Sequence, residues 1–262
     1  MKNYNGVLLN DIDFNIIKYL EVIIGKIIPY NDYEYIDSYS NKFGFKAING
    51  NIVILSVASK NFKTFPTEIL DLQDLELLDW SCLKDSIRDY NYSITIPEDI
   101  SSLKKLKNLS LCSNGIKTLP EALFSFKNLI SLNLELNKLR FIPDSIKNLK
   151  NLKCLFLSNN ELKEFPDSIL GLEHLEILDL NSNNIEVIPE NIDRLKNLKD
   201  LRIALTDNIN LPLSLINLKS LKYLYINYNP PYYSKEELNM LQKLEKRGVE
   251  LGDIKINSNI IQ

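Results

Sequence analysis

The 262-residue chain is poor in three residue types that many enzymes and metal sites need, with 8 glycines, 1 histidine and 3 cysteines. No G-x-G-x-x-G or G-x-x-x-x-G-K-[ST] run occurs, so the usual backbone cradles for phosphate are missing. His174 stands alone, which excludes H-E-x-x-H and any multi-histidine metal site and leaves no ready partner for a Ser-His-Asp triad. Cys82, Cys112 and Cys154 form no C-x-x-C pair. Such an odd, sparse set predicts reduced thiols and a cytoplasmic protein.

An excess of one charge is also lacking: 31 basic side chains face 34 acidic ones, for a net charge of −3. A nucleic-acid binder more often carries a strongly basic domain. Long apolar runs are missing too. Residues 12–28 are the most apolar early stretch, yet Asp13, Lys18, Glu21 and Lys26 interrupt them, so no membrane span is expected. Residues 1–15 contain no apolar core of a signal peptide. These absences predict a soluble protein without catalytic, cofactor-binding or metal-binding residues.

What the chain does have is a period. Pro97, Pro120, Pro143, Pro166, Pro189 and Pro212 are spaced 23 residues apart. Leu106, Leu129, Leu152, Leu175, Leu198 and Leu221 keep the same step. One unit reads Leu152-x-x-Leu155-x-Leu157-x-x-Asn160-x-Leu162-x-x-Phe165-Pro166-x-x-Ile169-x-x-Leu172. Clean units begin at residues 106, 129, 152, 175 and 198, and only Asn208 breaks their apolar pattern. Earlier units begin at Ile52 and Leu75, and a partial one at Leu221. A fixed period in this range indicates stacked supersecondary units. The Leu-x-Leu alternation predicts a short strand with one buried face, and stacking sets such strands side by side. The column Asn114, Asn137, Asn160, Asn183 and Asn229, with Thr206 standing in once, predicts buried amides bonded to the backbone of their own and neighbouring turns. The Pro-x-x-Ile-x-x-Leu half predicts a short helix with proline at its first position.

These residues resemble the leucine-rich repeat family, in the 23-residue L-P-x-x-I form similar to that of Ras-associated scaffold proteins and microbial relatives. The resemblance covers roughly residues 52–251. It implies an α/β fold, a right-handed solenoid (horseshoe) with a parallel concave sheet. Residues 1–51 would form an α/β N-terminal cap, residues 52–229 seven full repeats and a partial eighth, and residues 230–262 a helical C-terminal cap and tail. Within the first cap, Ile16, Ile17, Leu20, Ile23, Ile24 and Ile27 predict an amphipathic helix. Asn49-Gly50 predicts a type I′ hairpin whose first strand covers the sheet edge. In the second cap, Ser234-x-x-Glu237 is a capping box, Leu238, Leu241 and Leu244 form a stripe, and Gly248 suits the helix end.

In the family the concave face commonly binds proteins. The residues that the repeat leaves free on that face gather Phe156, Asp179, Arg202, Tyr223, Tyr225 and Tyr228 toward the C-terminal end. Aromatics and arginine are favoured at binding hot spots. The bland alternative pairs Asp179 with Arg202 across neighbouring strands. A secondary candidate is the eight-residue insertion near residues 84–92, with Arg88, Tyr90 and Tyr92. Acids after each proline (Glu98, Glu121, Asp144, Asp167, Glu190) and a lysine grid (Lys104, Lys127, Lys150, Lys196, Lys219) read as complements to helix dipoles. Trp80 takes a leucine position and is expected in the core, His174 is expected in solvent, and Cys82 and Cys112 as neighbouring thiols. The expected function is that of a non-catalytic protein-interaction module or scaffold acting as a monomer, with a regulator of a small GTPase or signalling enzyme and a structural or assembly protein as alternatives. The resemblance allows a small GTPase or a signalling enzyme as partner. It also takes in microbial members joined to a ubiquitin-ligase domain with a cysteine nucleophile, but all three cysteines here fall within repeats.

Overall fold

The structure is a computed structural model that describes residues 1–31, 43–57, 64–82, 93–204, 210–226 and 233–252. It divides into two compact units, Met1–Lys138 and Leu139–Gln262.

The first unit opens with a hairpin of β1 (Lys2–Tyr4) and β2 (Val7–Leu9), followed by helix α1 (Asp11–Ile24). The Asn10 side chain caps α1 by accepting from the Asp13 N–H. Gly25 ends it in the left-handed region at φ 70°, where a residue without Cβ is not penalised. The helix therefore stops short of Ile27, which is 67% exposed, while Ile28 is buried. The apolar spacing ran on past the point where the chain turned away from the helix axis. Strands β3 (Gly44–Ile48) and β4 (Asn51–Ser56) form the expected hairpin, with Asn49 and Gly50 both at positive φ as a type I′ turn requires. The buried Asp13 carboxylate accepts the Ile52 N–H at 2.6 Å, fastening α1 to the first repeat strand. Strands β5 (Leu77–Asp79), β6 (Asn108–Ser110) and β7 (Ser131–Asn133) follow, in sheet order β3-β4-β5-β6-β7. Leu55, Leu78, Leu109 and Leu132 stand in register, so the longer step from residue 75 to 106 leaves strand pairing intact. Trp80 is fully buried, as its leucine position predicts, and meets Phe65 at 5.8 Å between ring centroids.

The second unit carries β8 (Cys154–Phe156), β9 (Ile177–Asp179), β10 (Asp200–Arg202) and β11 (Tyr223–Tyr225). Helix α2 (Lys235–Lys246) and strand β12 (Glu250–Gly252) complete it. Strands β8 to β12 pair in parallel in that order. The capping box forms as expected, with Glu237 N–H donating to Ser234 Oγ and Ser234 N–H to Glu237 Oε2. Glu237 also accepts the Leu211 N–H at 2.8 Å, which ties α2 to the last repeat turn. Arg247 donates to the carbonyls of Ile216 and Leu218, closing the end of that turn. Gly248 turns the chain at φ 92°. No strand is expected from the sequence at β12. With a single buried-type leucine between Glu250 and Gly252, it has no alternation long enough to read, and its strand geometry comes from pairing with β11.

Each proline of the 23-residue grid is followed by a five-residue 3-10 helix, from Glu98–Ser102 and Glu121–Ser125 in the first unit to Asp167–Gly171 and Leu213–Asn217 in the second. Proline sits one place before the first helical residue, extended in ψ, and its carbonyl accepts from the residue three further on, as Pro97 does from Ile100. At two of the turns the acid after the proline reaches the next turn. Glu98 accepts the Ala122 N–H and Glu190 accepts the Ser214 N–H, so these two acids serve a neighbour's open helix start.

The asparagine column holds these turns together. Asn137 donates to the carbonyls of Leu111 and Leu134 and accepts the N–H groups of Asn114 and Ile116. In the second unit Asn183 donates to Leu157 and Leu180 and accepts from Leu162. Each amide thereby satisfies buried backbone groups of two successive turns. Another ladder, which the leucine pattern does not announce, runs where the 3-10 helix returns to the strand. Asn128 there donates to Lys104 O, and Asn197 to Glu173 O. Asn229 and Thr206 lie outside the described residues.

Candidate concave interface

In a three-residue strand the first and third side chains point to one face and the middle one to the other. The middle leucines are buried, so the outer pairs form the concave face. The residues just beyond the strands behave differently. Ser113, Leu136, Asn159 and Ser182 all take positive φ, between 53° and 60°. They are turn residues, not further strand positions. Their left-handed conformation costs about 1–2 kcal/mol each for a non-glycine residue. Cross-turn bonds such as Ser113 N–H to Glu135 O at 2.9 Å hold it in place.

On the first unit this face is a closed polar network. Asp79 is buried and accepts from the hydroxyls of Ser56 and Ser81, and Ser81 meets Ser110 at 3.0 Å. Burial pushes the Asp79 carboxyl above its ordinary range, and the surrounding hydroxyls offset only part of that rise. Asn133 and Glu135 bond each other twice. Beside them the half-buried Cys112 thiol is pushed up to about 12, first by burial and then by the charges of Glu135 and Asp79 and by Cys82. Cys154, on the second unit, is raised by burial and by Glu176. A thiolate nucleophile needs the opposite shift. Alkylation of Cys112 by iodoacetamide at pH 8 is expected to run at least about a hundredfold slower than for a free thiol peptide, recovering in denaturant. Peptide-resolved mass spectrometry of timed labelling checks this.

On the second unit the expected patch is only partly assembled. Arg202 is gripped from two sides. Asp200, two residues before it on the same strand, accepts from Nε at 3.1 Å and from Nη2 at 2.7 Å, and Asp179 on β9 lies 3.6 Å from Nη1. The pairing of Asp179 with Arg202 is therefore present, and Asp200, which the sequence does not single out, is the closer partner. The signal was in reach, because a spacing of two on a strand puts both groups on one face. The guanidinium also lies 5.4 Å from the centre of the Tyr225 ring. Tyr225 in turn lies over Gly252 of β12, where any Cβ would strike its ring. Tyr223 is 37% exposed, beside the exposed Glu250 with which it pairs in register.

One expectation needs correction. Phe156 is only 4% exposed, so its ring belongs to the packing of the face and offers a partner almost no surface. A large ring at such a position gains more by covering apolar neighbours than by standing in water. Tyr228 and the secondary candidates Arg88, Tyr90 and Tyr92 lie outside the described residues. His174 is exposed, as expected. Among the described residues no group of three His, Cys, Asp or Glu side chains could hold a metal ion. Among the same residues, no helix is long and apolar enough to cross a membrane.

Comparison with known proteins bears on the whole. A model described as a leucine-rich repeat region matches residues 138–259, and a leucine rich repeat model matches residues 104–162. Nothing among curated protein sequences matches the chain. Among solved structures, internalin C2 from Listeria monocytogenes shares the fold at 20% identity and a TM-score of 0.61, covering 92% of this chain and 95% of that one. The ectodomain of the receptor kinase GASSHO1/SCHENGEN3 from Arabidopsis thaliana, in complex with CASPARIAN STRIP INTEGRITY FACTOR 2, shares it at 23% identity and a TM-score of 0.57, over 72% of this chain and 23% of that one. The plant peptide hormone receptor RGFR1, in complex with RGF2, matches at 28% identity and a TM-score of 0.51, over 66% and 32%. The chain spans only a quarter to a third of the length of those two receptors. The matched spans coincide with the strand, asparagine turn and proline-led 3-10 helix that recur through both units, and the chain belongs to the leucine-rich repeat family.

Proposed function

We propose that the chain is a non-catalytic recognition module that binds a protein or peptide partner on the concave face of its second unit. The observation that carries this reading is the surface around Tyr223. An exposed aromatic ring sits next to a second ring, Tyr225, which is stacked on an arginine already held by two carboxylates. Rigid aromatic anchors lose little side-chain entropy on binding and dominate interface energies. The two plant receptors that share the fold, each solved with its ligand, support the reading by analogy. A scaffold role, with a small GTPase or signalling enzyme as partner, is the finer form of the proposal. The raised Cys112 and Cys154 thiols count against the nucleophilic alternative. Cys82, Cys112 and Cys154 are thiols and not disulfides, which suits a reducing cytoplasm.

The test uses partners captured from native lysate by the full chain. Tyr223→Ala removes an exposed ring and leaves the core untouched. It is expected to weaken the captured complex about thirtyfold or more, the range of a hot-spot truncation. A partner bound equally by Tyr223→Ala and the natural chain would overturn the assignment of this face.

A further inference from the structure

A terminal cap is expected to turn a polar surface outward. The N-terminal cap does not. Helix α1 buries Ile16, Ile17, Leu20 and Ile24 on one side, yet its other side shows Ile12, 58% exposed, and Val22, 81% exposed, with Tyr19 between them. These three, with Asn15, recur at the spacing of a helical stripe. Large apolar groups left on the outer side of an amphipathic helix, among polar neighbours, mark a surface that a partner can cover.

The charges along the outer stripe select the cover. Asp11 stands exposed in the first turn, where the Met1 ammonium lies 3.4 Å from it across solvent-exposed surface, and Lys26 stands exposed just beyond the last one. A copy of the helix laid parallel would set like charges together at both ends. Laid antiparallel, it sets Asp11 against the other copy's Lys26 twice, in the self-complementary manner of a two-fold interface. The same register brings Asn15 opposite Val22 and places Tyr19 near the symmetry axis. It also brings Ile12 to Gly25, where nothing lies within 4 Å of the position a Cβ would take. Lys26 is steadied for this role by the Phe43 ring, 4.3 Å away.

We propose that the outer face of α1 docks a second copy of this chain, antiparallel helix to helix, in place of the monomer that the sequence suggests. A helix of 14 residues buries less surface than a standard interface, so the dimer is weak, in about the micromolar range. It is independent of the concave face.

Sedimentation velocity of the full chain from about 1 to 500 µM tests it, a range spanning the expected dissociation constant. The expected result is a monomer that passes to a dimer as concentration rises. Val22→Glu, Asp11→Lys and Lys26→Asp are each expected to weaken it at least about tenfold. An equimolar mixture of Asp11→Lys and Lys26→Asp is expected to regain the dimer, because the mixed pair opposes unlike charges at both ends. That recovery also shows that both variants fold. A monomer at every concentration, a dimer indifferent to Val22→Glu, or no recovery in the mixture would overturn the proposal. So would a monomer that sediments with anionic lipid vesicles through Val22, since the face would then belong to a membrane surface.

Discussion

Replacing Asn137 by alanine is expected to lower the unfolding free energy by about 3–5 kcal/mol, a large part of what a domain possesses. The reason is the number of groups left without partners. The amide nitrogen reaches the Leu111 and Leu134 carbonyls at 3.0 and 2.9 Å, and the amide oxygen takes the Asn114 and Ile116 N–H groups at 3.1 and 2.9 Å. Each buried group left unpaired costs about 1–3 kcal/mol, and partial entry of water reduces the sum. Asn128 supplies the contrast. It makes one exposed bond, to Lys104 O, so Asn128→Ala is expected to cost less than about 1 kcal/mol. Urea titration followed by Trp80 fluorescence reads both variants, because the only tryptophan is buried in the same unit. Equal midpoints for the two variants would show that the amide ladder does not hold the turns.

Removing Arg202 is expected to have the second largest effect, on stability as much as on binding. Asp179 and Asp200 are both buried, and Arg202→Ala leaves them facing each other without the guanidinium. Breaking a buried pair costs about 3–5 kcal/mol. The arginine side chain is 30% exposed, so water recovers part of this and about 1–3 kcal/mol remains. Adding Asp200→Asn to Arg202→Ala is expected to recover most of the loss, since one carboxylate is then neutral. A double-mutant cycle measured by denaturation isolates the coupling. Loss of a partner in Arg202→Ala therefore mixes stability with recognition, whereas Tyr223→Ala does not.

The architecture was legible because its signal repeats. A leucine every 23 residues says which side chains go inside, and one asparagine per turn says what bonds the inside together. The capping box at Ser234 and the Asn49-Gly50 turn were legible because each is a local arrangement with its own chemistry. Strand β12 was not, since three residues carry no period and only the edge of β11 gives them a partner. The concave face was read half correctly for a similar reason. The pattern names which positions face outward, but not what each side chain does there. Phe156 lies buried, Tyr223 stands exposed, and Arg202 is turned toward Asp200, although all three positions look alike in sequence.

By itself, then, the sequence determined the repeat, its turns and most of its caps, because burial follows the spacing of apolar residues along the chain. Tertiary structure decided the rest. It set which of the free positions remain open to a partner and how far α1 runs before Gly25 turns it. It also showed that the outer stripe of that helix stays uncovered, because exposure depends on neighbours far apart in sequence and not on the period they share.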